Sequence, residues 1–163
     1  MTEAPEQNIQ LTIDGPVARV TLDDIVIAAL AECFDRLSTD DTVRVVVLAA
    51  TGKSFSAGAD LGWMKRSAGY SNAENEADAR KLAEMLAKLN RLPRPTIALV
   101  QGGAYGGGVG LVAACDIALA VEGAKFSLTE TRLGLIPSVI SPYVLAAIGA
   151  RAARRYFLTA EFF

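Results

Sequence analysis

Two short runs of β-branched and small apolar residues, Val43–Ala49 and Thr96–Val100, each give way to a glycine-bearing loop. Runs of that kind suit central strands buried on both faces, as parallel sheets demand. The stretches around them carry helical spacing. Val26, Leu30, Cys33/Phe34 and Leu37 repeat on one face between Ile25 and Leu37, and Leu82, Met85/Leu86, Leu89 and Leu92 do so further on. Strands alternating with amphipathic helices predict an α/β fold, with helices packed on a largely parallel sheet.

The rest of the chain fits that frame. Asn8–Ile13 and Val17–Leu22 alternate apolar and polar about Gly15-Pro16, which predicts a hairpin. Ser71-Asn72-Ala73-Glu74 has capping-box form and opens a helix that Pro93 and Pro95 end. A short helix should run from the Gly102–Gly110 cluster to Cys115, with strands near Ile117–Ala120 and Lys125–Ser127. Ser141-Pro142 begins a last helix, which Gly149 is expected to close.

Composition excludes several chemistries. There is no histidine among the 163 residues, so a Ser-His-Asp triad, a Cys-His pair and a zinc site lack their imidazole. Cys33 and Cys115 fall in apolar surroundings and read as small buried hydrophobes. A net charge of −2 offers no field for nucleic acid, and Arg151, Arg154 and Arg155 read as one solvated helix face. No apolar run approaches the ~20 residues of a membrane span, and Met1–Asn8 lacks a secretory pattern, so a cytoplasmic protein is expected. The apolar share of 52% implies surface meant for partner subunits or further chain. Carboxylates, hydroxyls and backbone remain to carry chemistry.

The two loops are Ser54-Phe55-Ser56-Ala57-Gly58-Ala59-Asp60 and Ala104-Tyr105-Gly106-Gly107-Gly108-Val109-Gly110. Both lie beyond the carboxyl ends of buried strands, where α/β sheets bind ligands. The second does not fit the G-x-G-x-x-G of a dinucleotide loop, and no acid ends the next strand. Taken with Cys115-Asp116-Ile117, Phe126-Ser127-Leu128-Thr129-Glu130 and Leu133-Gly134-Leu135-Ile136-Pro137, the pair resembles the crotonase (enoyl-CoA hydratase/isomerase) family, in family order from about Ile9 to Glu161.

The resemblance implies a spiral of ββα units with a mostly parallel sheet and flanking helices, one core domain over residues 1–163. It implies that the backbone N–H groups of Ala57 and Gly107 form an oxyanion hole for a thioester carbonyl. Ala59, Asp60 and Leu61 would then contact coenzyme A, Glu130 would be the catalytic carboxylate, and no metal or separate cofactor would be needed. A homotrimer or dimer of trimers acting on an acyl-CoA substrate is expected. Trp63 and Met64 are candidates for the acyl pocket, and Lys65, Arg66 and Arg132 for a second substrate carboxylate.

There are departures. Most hydratases of the family carry a second glutamate where this chain has Gly110, which raises the double-bond isomerase reading. Gly110–Cys115 and Ile140–Tyr143 resemble methylglutaconyl-CoA hydratases of leucine and isoprenoid breakdown, which favours hydration of a short or branched enoyl-CoA. A non-catalytic acyl-CoA-binding homologue is the third reading. Leu22 meets Asp24 with little intervening chain, so a gap wider than the usual ~3.8 Å Cα spacing is expected there. Helices beyond Phe163 are expected as well.

Overall fold

A computed structural model describes residues 9–22, 26–58, 67 and 69–163. The expected junction at Leu22–Asp24 therefore lies outside the described residues.

The hairpin forms as expected. Strands β1 (Ile9–Asp14) and β2 (Val17–Leu22) pair antiparallel, Ile9 opposite Leu22 and Asp14 opposite Val17. The Pro16 carbonyl in its turn accepts from the backbone N–H groups of Arg44 (2.7 Å) and Val45 (3.2 Å). That contact fixes where the next strand begins: β3 is Val45–Ala50, two residues later than the apolar run that predicts it. Val43 is buried but sits in a turn, its N–H donating to the Asp40 carbonyl.

Among the described residues, β4 (Thr96–Val100) and β6 (Ile117–Ala120) complete a five-stranded sheet of order β1-β2-β3-β4-β6, in which every pair after the hairpin is parallel. Strands β4 and β6 fall where the sequence places them. Asp116 locks their starts together, its carboxylate accepting from Thr96 N–H and Oγ1 at 2.8 Å each while Thr96 Oγ1 accepts from Asp116 N–H. Two-residue strands β5 (Ala104–Tyr105) and β7 (Phe126–Ser127) form a separate parallel pair.

Helix α1 (Ile27–Thr39) buries Leu30, Cys33, Phe34 and Leu37, the predicted face. Helix α2 (Asn72–Asn90) starts in a complete capping box, Ser71 Oγ accepting from Glu74 N–H and the Glu74 carboxylate accepting from Ser71 N–H. It buries Met85, Leu86 and Leu89 in the core beside α1 and the helix Gly107–Ala114, while Leu82 and Leu92 are half-buried. A side chain of this size contributes about 1.5–3 kcal/mol when fully buried, so the α1–α2 seam anchors the helical layer. Helix α3 (Gly107–Ala114) is almost wholly buried.

Helix α4 (Ser141–Thr159) departs from expectation. Gly149 does not end it; the chain kinks there at φ +79°, ψ 155° and helix resumes to Thr159. Glycine tolerates that conformation, and the residues after it favour helix again. Arg151, Arg154 and Arg155 are exposed on the resumed segment, Arg155 paired with Glu161.

Cys33 is buried, whereas Cys115 is only half-buried. Burial pushes the Cys115 thiol up to about 12, so neither cysteine offers a ready thiolate. Among the described residues no helix is long and apolar enough to cross a membrane.

Candidate active site

The β5–β7 pair is the platform on which the candidate residues meet. Ser56 joins it through a parallel bridge to Ala104. Phe55 and Ser56 donate their N–H groups to the Gly103 carbonyl, and Tyr105 N–H donates to the Ser56 carbonyl. Across the platform, Ala104 N–H donates to Lys125 C=O at 2.8 Å and Gly106 N–H to Ser127 C=O at 3.0 Å. Ala57, Gly107 and Glu130 each follow one of these three short segments closely in the chain. Three stretches far apart in sequence thus deliver their residues at one end of one small sheet.

Gly106 and Gly108 bear directly on this arrangement. Gly106, the residue before α3, adopts φ +51°, ψ −120°, a region closed to ordinary L-residues. A Cβ there would also stand 3.1 Å from Glu130 Oε1, so the bare backbone lets the carboxylate come up against the loop. A Cβ on Gly108 would stand 2.4 Å from Ser56 Cβ. The two loops are therefore in contact, with Ser56 filling the space a side chain would need. Its hydroxyl accepts from Gly58 N–H at 3.3 Å and steadies the stretch holding Ala57.

Gly107 meets no such obstruction: a Cβ placed on it has nothing within 4 Å. Among the described residues, no hydrogen bond ties up the N–H of Ala57 or of Gly107. Gly107 is the first residue of α3, where an N–H has no partner within the helix and the dipole favours negative charge.

Glu130 sits in a 3₁₀ turn, Thr129–Leu133, that ends at Gly134 in the left-handed conformation. Its Oε2 is buried and has no hydrogen-bond partner among the described residues. Burial is the main influence on its carboxyl and raises its pKa above the usual range, with a smaller opposing contribution from its own backbone N–H. A carboxylate kept partly dry, unpaired and facing a glycine loop is suited to moving protons.

A family model described as enoyl-CoA hydratase/isomerase matches residues 3–163. The chain belongs to that family. A Thermus thermophilus protein that carries the name of an enoyl-CoA hydratase is 35% identical over 147 residues, 90% of this chain and 58% of its own length. A mitochondrial Δ(3,5)-Δ(2,4)-dienoyl-CoA isomerase of Dictyostelium discoideum is 32% identical, covering 93% of this chain and 55% of its own length. The crystal structure of an enoyl-CoA hydratase from Shewanella pealeana superimposes with a TM-score of 0.92 at 45% identity, over 96% of this chain and 62% of that one. The chain thus spans about three fifths of the length of these relatives. The α/β architecture expected from the sequence is the fold of these family members.

Of the sequence candidates, the structure brings Glu130 against Gly106, next to Gly107, and the Ser56–Gly58 stretch against Tyr105 and Gly108. Ala59, Asp60, Leu61, Trp63, Met64, Lys65 and Arg66 lie outside the described residues. Arg132 lies within the described residues and is exposed. Its guanidinium donates to the Ala160 carbonyl at 2.7 Å and lies over the Phe162 ring at 5.6 Å.

One contributor escapes the sequence reading. The Gln101 side-chain amide lies 3.0–3.3 Å from the carbonyls of Ala50, Thr51, Gly52 and Ser54, clasping the first loop to the end of β4. A polar residue directly after a buried strand is the only sequence signal it leaves.

Proposed function

We propose that this chain carries the catalytic core of an enoyl-CoA hydratase, acting on a short or branched acyl-CoA through an enolate held by backbone N–H groups. The observation that carries the reading is the Glu130 carboxylate, with Oε2 buried and unpaired and Oε1 set against the glycine loop that opens α3. In this reading the thioester oxygen sits between the N–H groups of Ala57 and Gly107. Each such donor, aimed where charge develops, typically lowers the barrier by ~2.7–4 kcal/mol.

Glu130 accepts a proton from water as its oxygen bonds to the β-carbon, and the double-bond electrons move onto the thioester oxygen. The same carboxyl then returns the proton to the α-carbon as the enolate collapses. Hydrogen and hydroxide are added, and the carboxylate is regenerated. Coenzyme A enters as part of the substrate, with Ala59, Asp60 and Leu61 as its proposed contacts, and no other cofactor is proposed. The likeness of 110–115 and 140–143 to methylglutaconyl-CoA hydratases supports a branched substrate, and assembly as a homotrimer or dimer of trimers in the cytoplasm completes the reading.

A second reading, isomerisation of the double bond, has its own observation. At Gly110 a Cβ would stand 2.3 Å from Ile140 Cγ2, so Ile140 fills the space where a second acid would begin. A single carboxylate suffices to lift a proton from one carbon and return it two carbons away. Incubation with crotonyl-CoA in ¹⁸O-water separates the two. Labelled 3-hydroxyacyl product is expected. Unlabelled crotonyl-CoA recovered alongside conversion of a 3-enoyl-CoA would replace hydration by isomerisation, and binding without either turnover would leave an acyl-CoA-binding homologue.

The same packing predicts that Gly110→Glu adds no second acid. Forcing a side chain against Ile140 and Leu86 should cost about 1–3 kcal/mol of stability. A lower melting temperature with no gain in turnover is the expected result.

A further inference from the structure

The turn that carries Glu130 is held on both sides by the last residues of the chain. Before it, Phe126 and Phe163 exchange backbone hydrogen bonds at 2.8 and 3.0 Å, and Ser127 Oγ donates to the Ala160 carbonyl at 3.0 Å. Ser127 is fully buried. Within the turn, Thr131 Oγ1 donates to the Phe157 carbonyl at 3.0 Å and Arg132 Nη2 to the Ala160 carbonyl at 2.7 Å. Ala160 caps α4 at φ +50°, the one non-glycine residue with positive φ among the described residues. That conformation bends the chain after α4, and the carbonyl it leaves receives both the Ser127 and the Arg132 donor. Phe162 lies under the same guanidinium, which is therefore gripped at its edge and on its face.

We propose that Arg132 is a positioning residue for Glu130: by binding the Ala160 carbonyl and the Phe162 face it sets the 3₁₀ turn, and hence the carboxylate, against the glycine loop. This rests on the proposed role of Glu130. Arg132 acts through geometry, by the carbonyl and the ring it holds. The thioester grip belongs to other segments, so loosening this turn should spoil proton transfer and spare binding.

The test compares wild type, Arg132→Met, Arg132→Lys and Glu130→Gln in the intact chain, with crotonyl-CoA and a 3-enoyl-CoA as substrates. Arg132→Met should lower kcat by about 10- to 100-fold, the scale expected of ångström-level misplacement, with KM changed less than about twofold. Arg132→Lys, which keeps one donor, should recover a large part of that. Amide hydrogen exchange gives a second readout that needs no turnover. The Gly134 and Leu135 N–H groups, which close the turn on Thr131 and Glu130, should exchange faster in Arg132→Met while the α2 amides do not. Unchanged kcat and unchanged exchange would overturn the proposal, as would a matched loss of kcat and KM that Lys fails to rescue. Full activity in Glu130→Gln would instead remove the role assigned to Glu130, while the exchange result would still report on the turn.

Discussion

Glu130→Gln should lose about 10²–10⁴ in turnover, toward the upper end, while acyl-CoA binding stays within a few-fold of wild type. The upper end is expected because the proposed mechanism asks Glu130 both to take a proton and to give it back, with Gly110 offering no second acid. Gln keeps the size and one oxygen, so packing against Gly106 survives. The same substitution should not weaken the fold. Burial raises the folded pKa of Glu130 above its unfolded value, so the fold favours the protonated carboxyl. The stability this contributes is complete below the ordinary carboxyl range near ~4.3, and is lost as the pH rises through the folded value. Above its folded pKa the wild type holds an ionised carboxylate its surroundings resist, and a neutral amide relieves it. Denaturation at low and neutral pH should show Glu130→Gln gaining on wild type as the pH rises, and the wild-type rate should rise with pH through a value above the normal carboxyl range. An active Gln variant, or one destabilised at neutral pH, would show that the carboxylate has another task.

Gly108→Ala should be nearly as damaging although it adds only one methyl group. The new Cβ would fall 2.4 Å from Ser56 Cβ and 2.7 Å from Ser56 Oγ, well inside contact distance. One of the two loops must move. Ser56 is bridged to Ala104 and its hydroxyl holds Gly58, so displacement reaches Ala57 directly. With Ala57 in its proposed role as an oxyanion donor, losing its alignment should cost about 10²–10³ in kcat. Overpacking should also cost ~1–3 kcal/mol of stability. The decisive measurement is the double variant Gly108→Ala with Ser56→Gly, which removes both atoms in the way, read against Ser56→Gly alone because that change also removes the hydroxyl bound by Gly58. Recovery of a substantial part of the lost activity is expected; a double variant no better than Gly108→Ala would mean that the contact between the loops does not set the donor geometry.

What the sequence determined by itself is local. Thr96–Val100 and Ile117–Ala120 become strands at the boundaries their composition indicates, and Ser71–Glu74 caps α2, because each depends on neighbours a few residues away. The glycine loops and Glu130 were picked out by their resemblance to a family pattern in chain order, and the lack of any imidazole chemistry by composition. Tertiary structure decided the rest. The platform that unites Ser56, β5 and β7 is built from segments of one or two residues, too short to carry a periodicity. The start of β3 was set by the Pro16 carbonyl of a different strand's turn, and Gly149 kinked α4 without ending it. Gln101 and Arg132 took their partners from stretches 28 to 51 residues away. Backbone propensity acts over one or two turns of chain, whereas a carbonyl that accepts a distant side chain exists only once packing has brought the two together.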